Sequence, residues 1–438
     1  MPVLIVLLGV LLLLVLISGF KLNAFISFIL VALFVGVCEG MPVLKSIAAI
    51  QTGIGNTLSS LVMILGFGAM LGKLVADSGA AQNITSKLVA AFGLKRVQWA
   101  LMITGFIVGI PMFYSVGFVI MVPLVFTVAA STGLPLLYVG LPMLAALSVT
   151  HGYLPPHPAP TAIAAMFSAD VGKTLLYGLI VAIPAVLVII PLFSRWTRRF
   201  HSEPLAEFFQ TEQLPEDKLP SLGVSLFSAL FPVILIGGAA VVRLLAPEGS
   251  RVVEIANILG NPALAMLLAV LLSIYTLGLA RGKKMSEIMN NLGKGVSSIT
   301  MVLLVIGGAG ALKQIMIESG VSDYLREVLE SASLSPLILA WVIAAVIRVC
   351  VGSATVAGMT AAGIVLPLVS TGSVSAELMV LSVGAGSIFF SHVNDSGFWL
   401  FKEYFNLSIR DTLATWTLME TTVSVVGLIG VLVLNQLV

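Results

Sequence analysis

His151-Gly152-Tyr153-Leu154-Pro155-Pro156-His157-Pro158-Ala159-Pro160-Thr161 lies inside an apolar run that covers 134–168. Proline has no amide hydrogen and its ring clashes with the preceding helical turn. A helix must therefore stop and restart here, leaving main-chain N–H groups free. Hydrocarbon tolerates such irregular backbone only where it is buried in protein or lines a cavity. Alone, the stretch reads as a kinked helix or a loop. A second interruption, Ser391-His392-Val393-Asn394-Asp395-Ser396-Gly397 in the run 376–407, also places a histidine after a small hydroxyl residue, as Thr150-His151 does, and 392 − 151 is 241. Two matched breaks in apolar helices read as one functional element used twice.

Composition identifies the solvent these helices meet. Hydrophobic residues make up 59% of the chain and charged residues 10%, against about 25% charged in soluble domains. Runs suited to a hydrocarbon core of roughly 30 Å, about 20 residues per crossing, fall near 3–19, 23–39, 55–76, 98–130, 134–168 and 172–194. A second set falls near 223–245, 261–280, 295–317, 335–370, 376–407 and 412–437. The lipid bilayer is the expected surrounding. Val3 to Ser18 has neither a basic leader nor a small-residue cleavage site and reads as a retained first helix. Cys38 and Cys350 match neither a disulfide framework nor a CxxC metal site; they read as packing residues, and no metal or other cofactor is expected. A net charge of +2 without a basic block argues against nucleic acid, whose phosphates need clustered Lys and Arg.

Arg195 to Pro220 is the longest polar stretch and divides the chain into residues 1–194, a cytoplasmic linker at 195–222, and residues 223–438. The flanking halves align. Gly53-Ile54-Gly55 precedes a run ending in Asp77-Ser78-Gly79, Gly293-Lys294-Gly295 precedes one ending in Glu318-Ser319-Gly320, and 320 − 79 is again 241. Pro123-Leu124-Val125 is echoed by Pro367-Leu368-Val369. Short cytoplasmic loops collect basic residues, which puts Lys21, Lys95-Arg96, Arg195 to Arg199, and Arg281 with Lys283 and Lys284 inside. They share one side only if 98–130 and 335–370, each too long for one crossing and broken by Gly and Pro, turn back as re-entrant hairpins. The expected fold is an all-α polytopic membrane protein of two repeats, each with five crossings and one hairpin. An odd number of crossings inverts one copy relative to the other and leaves both termini outside, with the first hairpin opening inward and the second outward. Alternating-access transporters use this arrangement, with the site near the midplane.

Four polar interruptions then converge: the hairpin tips Gly109-Ile110-Pro111-Met112-Phe113-Tyr114-Ser115-Val116-Gly117 and Gly352-Ser353-Ala354-Thr355, and the two broken helices. Half-helix N-termini carry partial positive charge and suit the carboxylate of a small organic anion. Tyr114, Ser115, Thr161, Ser353, Thr355 and Asn394 offer hydroxyl and amide groups for a polyol chain, although Ser and Thr in membrane helices also bond their own backbone. His151, His157 and His392 join them; His201, in the linker, reads as solvated. Arg348 either pairs with the substrate carboxylate or holds its hairpin through backbone carbonyls. Asp395 is an acid in an apolar segment, by default a functional group; it takes part in proton coupling with His392 or His151, or it caps a helix. Walker A, HExxH and GxSxG patterns are missing, so ATP-driven pumping, zinc proteolysis and α/β-hydrolase chemistry lack their signals. A secondary transporter is expected rather than an enzyme. The alternative of another class is an integral-membrane enzyme using His and Asp as acid and base.

Gly66-Phe67-Gly68-Ala69-Met70-Leu71-Gly72-Lys73, Ala146-Leu147-Ser148-Val149-Thr150-His151-Gly152, Pro155-Pro156-His157-Pro158, Gly352-Ser353-Ala354-Thr355-Val356, Ser391-His392-Val393-Asn394-Asp395 and Gly397-Phe398-Trp399-Leu400-Phe401-Lys402 together closely resemble the gluconate:proton symporter family, over essentially the whole chain. The resemblance implies an inner-membrane permease that imports gluconate, or a related aldonate such as idonate, with a proton. It also implies kinship with the ion-transporter superfamily, whose members pair a scaffold with a transport domain, are commonly homodimers and move substrate by an elevator motion. Three positions depart from the family pattern. Ser115 stands where gluconate-type members carry an acid, which leaves an uncoupled or exchange mode as an alternative. Ala159 and Ser396 stand where they carry Gly and Pro. A relative that transports D-serine shares the fold, so another small hydroxy acid or an amino acid is the alternative substrate.

Overall fold

Asn23, Ser221, Ser375 and Asp395 each stand at a helix start and accept hydrogen bonds from first-turn N–H groups, satisfying donors that lipid cannot. The computed structural model describes residues 2–112, 114–202, 214–247, 249–320, 335–370 and 374–438, without the side chains of 2, 3, 18, 60, 115, 116, 131 and 370. All regular structure among the described residues is helical. The first half contains α1 (Pro2–Leu14), α2 (Ala24–Cys38), α3 (Val43–Asp77), α4 (Ala80–Phe92), α5 (Val97–Gly109), α6 (Tyr114–Thr132), α7 (Leu136–Tyr153), α8 (Pro158–Phe167), α9 (Val171–Leu187) and α10 (Ile189–Phe193). After it come α11 (Leu222–Leu245), α12 (Arg251–Leu259), α13 (Pro262–Ser273), α14 (Met285–Ser297), α15 (Thr300–Glu318), α16 (Pro336–Val351), α17 (Ala354–Ser370), α18 (Ala376–Ser387), α19 (Ser396–Tyr404), α20 (Ile409–Thr412) and α21 (Leu418–Leu434). Residues 203–213 of the expected linker lie outside the described residues.

Six helical stretches among the described residues are long and apolar enough to cross a bilayer individually. Leu7, Leu11, Ile26, Leu30, Ile180, Ile183, Ile234, Val241 and Ile429 are exposed; water would not tolerate so extensive an apolar surface, whereas lipid favours it. The chain is a multi-pass membrane protein.

Several boundaries differ from the sequence expectation. The span placed at 55–76 begins at Val43, because Gly53-Ile54-Gly55 continues the helix instead of preceding it. A Cβ at Gly53 would meet Gly310 O of α15, so small residues here let two backbones touch. The span at 295–317 is two helices, α14 and α15, broken near Ser298. Helix α4, at 13 residues and carrying Gln82, Asn83 and Lys87, is too short and polar to register as a span; it and the segment through α5 are bent by 111° around Gly93. Cys38 and Cys350 are exposed rather than packed.

Two helix pairs follow closely in the chain: α5 ends at Gly109 and α6 begins at Tyr114, and α16 runs into α17 through Gly352 and Ser353. At 1.5 Å per residue, the 13 residues of α5 reach only about 20 Å, short of a bilayer core of roughly 30 Å. Gly352 has φ +80°, and a Cβ there would run into the main chain of Asn394. Position 352 therefore requires glycine twice over.

Candidate functional site

Each hairpin is tied to the neighbouring broken helix by a histidine. His157, the residue preceding α8, has Nε2 2.8 Å from Gly109 O, at the end of α5. His392 places Nε2 2.9 Å from Val349 O, in the last turn of α16, and Asn394 Nδ2 reaches the same oxygen at 2.7 Å. Carbonyls only accept, so both rings carry their proton on Nε2 and donate it. These bonds satisfy carbonyls near helix ends and bring the four polar breaks around one cavity of about 260 Å³.

Its wall combines Tyr114 of α6, Ser148 and His151 of α7, Arg348 of α16, Ser353 and Thr355 at the start of α17, Asp395 before α19, and Trp416 and Glu420 around the start of α21. The Arg348 side chain is 4% exposed, and its Nη2 lies 2.5 Å from Asp395 Oδ2. Asp395 also accepts from Gly397 N at 2.9 Å and from Ser391 Oγ. Nε and Nη1 of Arg348 have no partner among the described residues. Pro158, Ser353 to Thr355, and Ser396 with Gly397 bring the N-termini of α8, α17 and α19 to the same space, so positive helix ends converge on it. Trp416 sits in a π-helical turn, Leu413–Thr417. It donates from Nε1 to Ser391 Oγ at 2.8 Å and packs 6.0 Å from the Tyr114 ring. Glu420, 2% exposed, accepts from Ser148 Oγ at 2.8 Å through Oε2.

Of the residues singled out from sequence, Tyr114, His151, Arg348, Ser353, Thr355 and Asp395 meet at this cavity. His157, His392 and Asn394 stand behind its wall on hairpin carbonyls, and Thr161 is buried in α8, its N–H donating to His157 O. The Ser115 side chain, and Phe113, lie outside the described residues. Of the two roles open to Asp395, the helix cap is present. Ser148, Trp416 and Glu420 are cavity residues absent from the sequence-based set. The rule that intramembrane acids are functional reaches Glu420 as readily as Asp395, whereas Trp416 carries no signal of its own.

The family model described as GntP family permease matches residues 1–438. The high-affinity gluconate transporter of Escherichia coli is 52% identical over 439 residues, covering 100% of both chains. The Gnt-II system L-idonate transporter of the same organism is 51% identical over 99% of each, and the gluconate permease of Bacillus subtilis 45% identical over 100% of each. In three dimensions the chain is similar to the YdaH transporter of Alcanivorax borkumensis, with a TM-score of 0.66 over 94% of this chain and 97% of that one. It is also similar to MtrF of Neisseria gonorrhoeae, with a TM-score of 0.61 over 94% and 93%. At 16% and 13% identity, these last two likenesses concern the fold alone.

Proposed function

Because the chain belongs to the GntP family of permeases, transporters and not enzymes, we propose that it imports gluconate or a related aldonate such as idonate across the inner membrane together with a proton. One observation carries the substrate reading. In a small cavity, the buried guanidinium of Arg348 presents Nε and Nη1 without partners beside three helix N-termini. A substrate carboxylate satisfies those donors, which are costly to leave buried without an acceptor. The hydroxyls of Tyr114, Ser148, Ser353 and Thr355 suit the polyol tail. Asp395 with His151 at the cavity, and His392 behind it, are the groups the sequence offers for proton coupling, and the cavity adds the carboxyl of Glu420 to them.

Inverted repeats at 1–194 and 223–438 are part of the same proposal. Helix α3 ends at Asp77 and α15 at Glu318, 318 − 77 being 241. Packing is reciprocal as well: Gly53 of α3 lies against Gly310 of α15, while Gly295 of α14 lies against Ala69 of α3, with 310 − 69 equal to 241 and 295 − 53 equal to 242. A two-fold axis between antiparallel copies produces contacts that exchange partners in this way. Sidedness is supported by loop contacts. Lys283 Nζ lies 3.1 Å from Asp77 O and Asn83 Nδ2 lies 2.6 Å from Pro220 O, all in segments assigned inside. Arg243 pairs with Asp170 at 3.1 Å, and Asp170 N donates to Glu377 at 3.2 Å, all in segments assigned outside. A homodimer whose hairpins and broken helices move as an elevator against a scaffold completes the reading.

The test is uptake of labelled gluconate into proteoliposomes with and without an inward proton gradient, in competition with idonate and D-serine. Gradient-stimulated uptake that idonate inhibits and D-serine does not is expected. Uptake indifferent to the gradient would refute symport, and chemically altered gluconate in the lumen would refute a permease.

A further inference from the structure

Helix α21 brings a carboxyl group into the cavity wall with no cation committed to it. Glu420 is 2% exposed; Ser148 Oγ donates to its Oε2 at 2.8 Å, and its Oε1 has no hydrogen-bond partner. Arg348, on α16, already has Nη2 2.5 Å from Asp395. The titratable groups of α6 and α7 around Glu420 are Tyr114, His151 and Tyr153. Tyr153 spends its hydroxyl proton on Val423 O at 2.8 Å. Helices α9, α10 and α18 also pack against α21, and their ionisable side chains are Lys173, Tyr177 and Glu377. These lie toward the opposite end, since Val181 of α9 already sits against Gly430. Earlier in the same stretch, Arg410 and Asp411 are more than two helical turns away.

We propose that Glu420 is the proton carrier of the transport cycle; this rests on the reading of the chain as an aldonate–proton symporter. A carboxylate removed from water without a counter-ion takes up a proton instead of staying charged. Asp395 has less need of one, because Arg348, Gly397 N and Ser391 Oγ all donate to it. With both carboxyls ionised, the cavity sets two negative charges against one positive and repels an anion. With Glu420 protonated, Arg348 and Asp395 balance, and the vacant donors of Arg348 receive the substrate carboxylate. Oε1 changes from an acceptor into a donor toward a substrate oxygen. The proton enters from the outer aqueous phase, stays on Oε1 while the anion is bound, and leaves to the cytoplasm once the anion has gone. Proton and anion thus raise each other's affinity by the same factor.

The experiment compares labelled-gluconate accumulation, gluconate exchange and their pH profiles in proteoliposomes for wild type and Glu420→Gln. In wild type, apparent affinity should weaken by up to about tenfold per pH unit above the titration of the carrier. Glu420→Gln should retain exchange, lose gradient-driven accumulation and lose that pH dependence. Accumulation by Glu420→Gln with the wild-type profile overturns the assignment while leaving symport standing. A wild type indifferent to the gradient overturns symport and the assignment with it. If Glu420→Gln neither folds nor exchanges, Ser148→Ala decides: loss of the donor to Oε2 favours the protonated form and moves the midpoint of the profile to higher pH. An unmoved midpoint overturns the proposal.

Discussion

Arg348 and Asp395 allow a quantitative test, since removing one partner of a buried pair and removing both have opposite consequences. Arg348→Met strands Asp395, 13% exposed, with the Gly397 N–H and the Ser391 hydroxyl as remaining donors. Breaking a buried pair typically costs about 3–5 kcal/mol; two surviving donors put this case at the low end, about 3 kcal/mol. Arg348→Met combined with Asp395→Asn leaves neutral side chains of similar bulk, and wholesale replacement of a buried pair is often neutral. The double variant should therefore lie within about 1 kcal/mol of wild type, with a coupling energy of about 2 kcal/mol or more. Reversible unfolding of the four proteins in mixed micelles measures the cycle. Gluconate binding, read by calorimetry, should fall in both variants that lack Arg348. Two charge-assisted hydrogen bonds at about 1.5 kcal/mol or more each correspond to a loss of at least about 100-fold. A double variant no more stable than Arg348→Met refutes the pairing argument, and wild-type affinity in Arg348→Met refutes the carboxylate contact.

Two further predictions concern the scaffold around the cavity. His157→Ala removes the donor to Gly109 O and should destabilise the protein by about 1–3 kcal/mol, the cost of an unsatisfied buried acceptor; His157→Gln, which restores an N–H near Nε2, should recover most of that in the same unfolding assay while the pH profile of uptake stays put. Cys38, exposed at the end of α2, should react with a membrane-impermeant maleimide added outside to intact cells expressing a Cys350→Ser variant. Labelling only after permeabilisation would reverse the assigned orientation.

How much of this was legible in the sequence depended on which signal each residue carried. The polar breaks at 151–161 and 391–397 were readable because proline and glycine have local consequences that no tertiary context cancels. Gly53 was not, since glycine in an apolar run reads as punctuation until the partner helix that needs its smallness, at Gly310, is known. The histidines were recognised as special, but their role is a matter of distance: His157 and His392 reach hairpin carbonyls, whereas His151 turns to the cavity. Helix α4 escaped because its 13 residues neither span a membrane nor show an uninterrupted apolar run.

Glu420 escaped for a different reason, which also bears on how the site works. Comparing two halves drew attention to the hairpin tips and broken helices, where Arg348 and Asp395 lie, whereas Glu420 lies in the run 412–437 outside them; none of the three has an ionisable counterpart in the first half. At the 241-residue offset, Arg348 corresponds to Ile107, Asp395 to Leu154 and Glu420 to Leu179. The first half contributes shape, the N-terminus of α8, Ser148 and His151; the second contributes the charges. A symmetric duplicate would add a guanidinium and two carboxyls to a cavity of about 260 Å³, and each buried charge lacking a partner costs several kcal/mol. Under the proposed inverted repeat, one anion bound near the two-fold axis needs a single set of charges. In that reading duplication supplies a symmetric path while only the second half carries the guanidinium and the carboxyls, and a carboxyl outside the matched breaks is one a repeat comparison passes over.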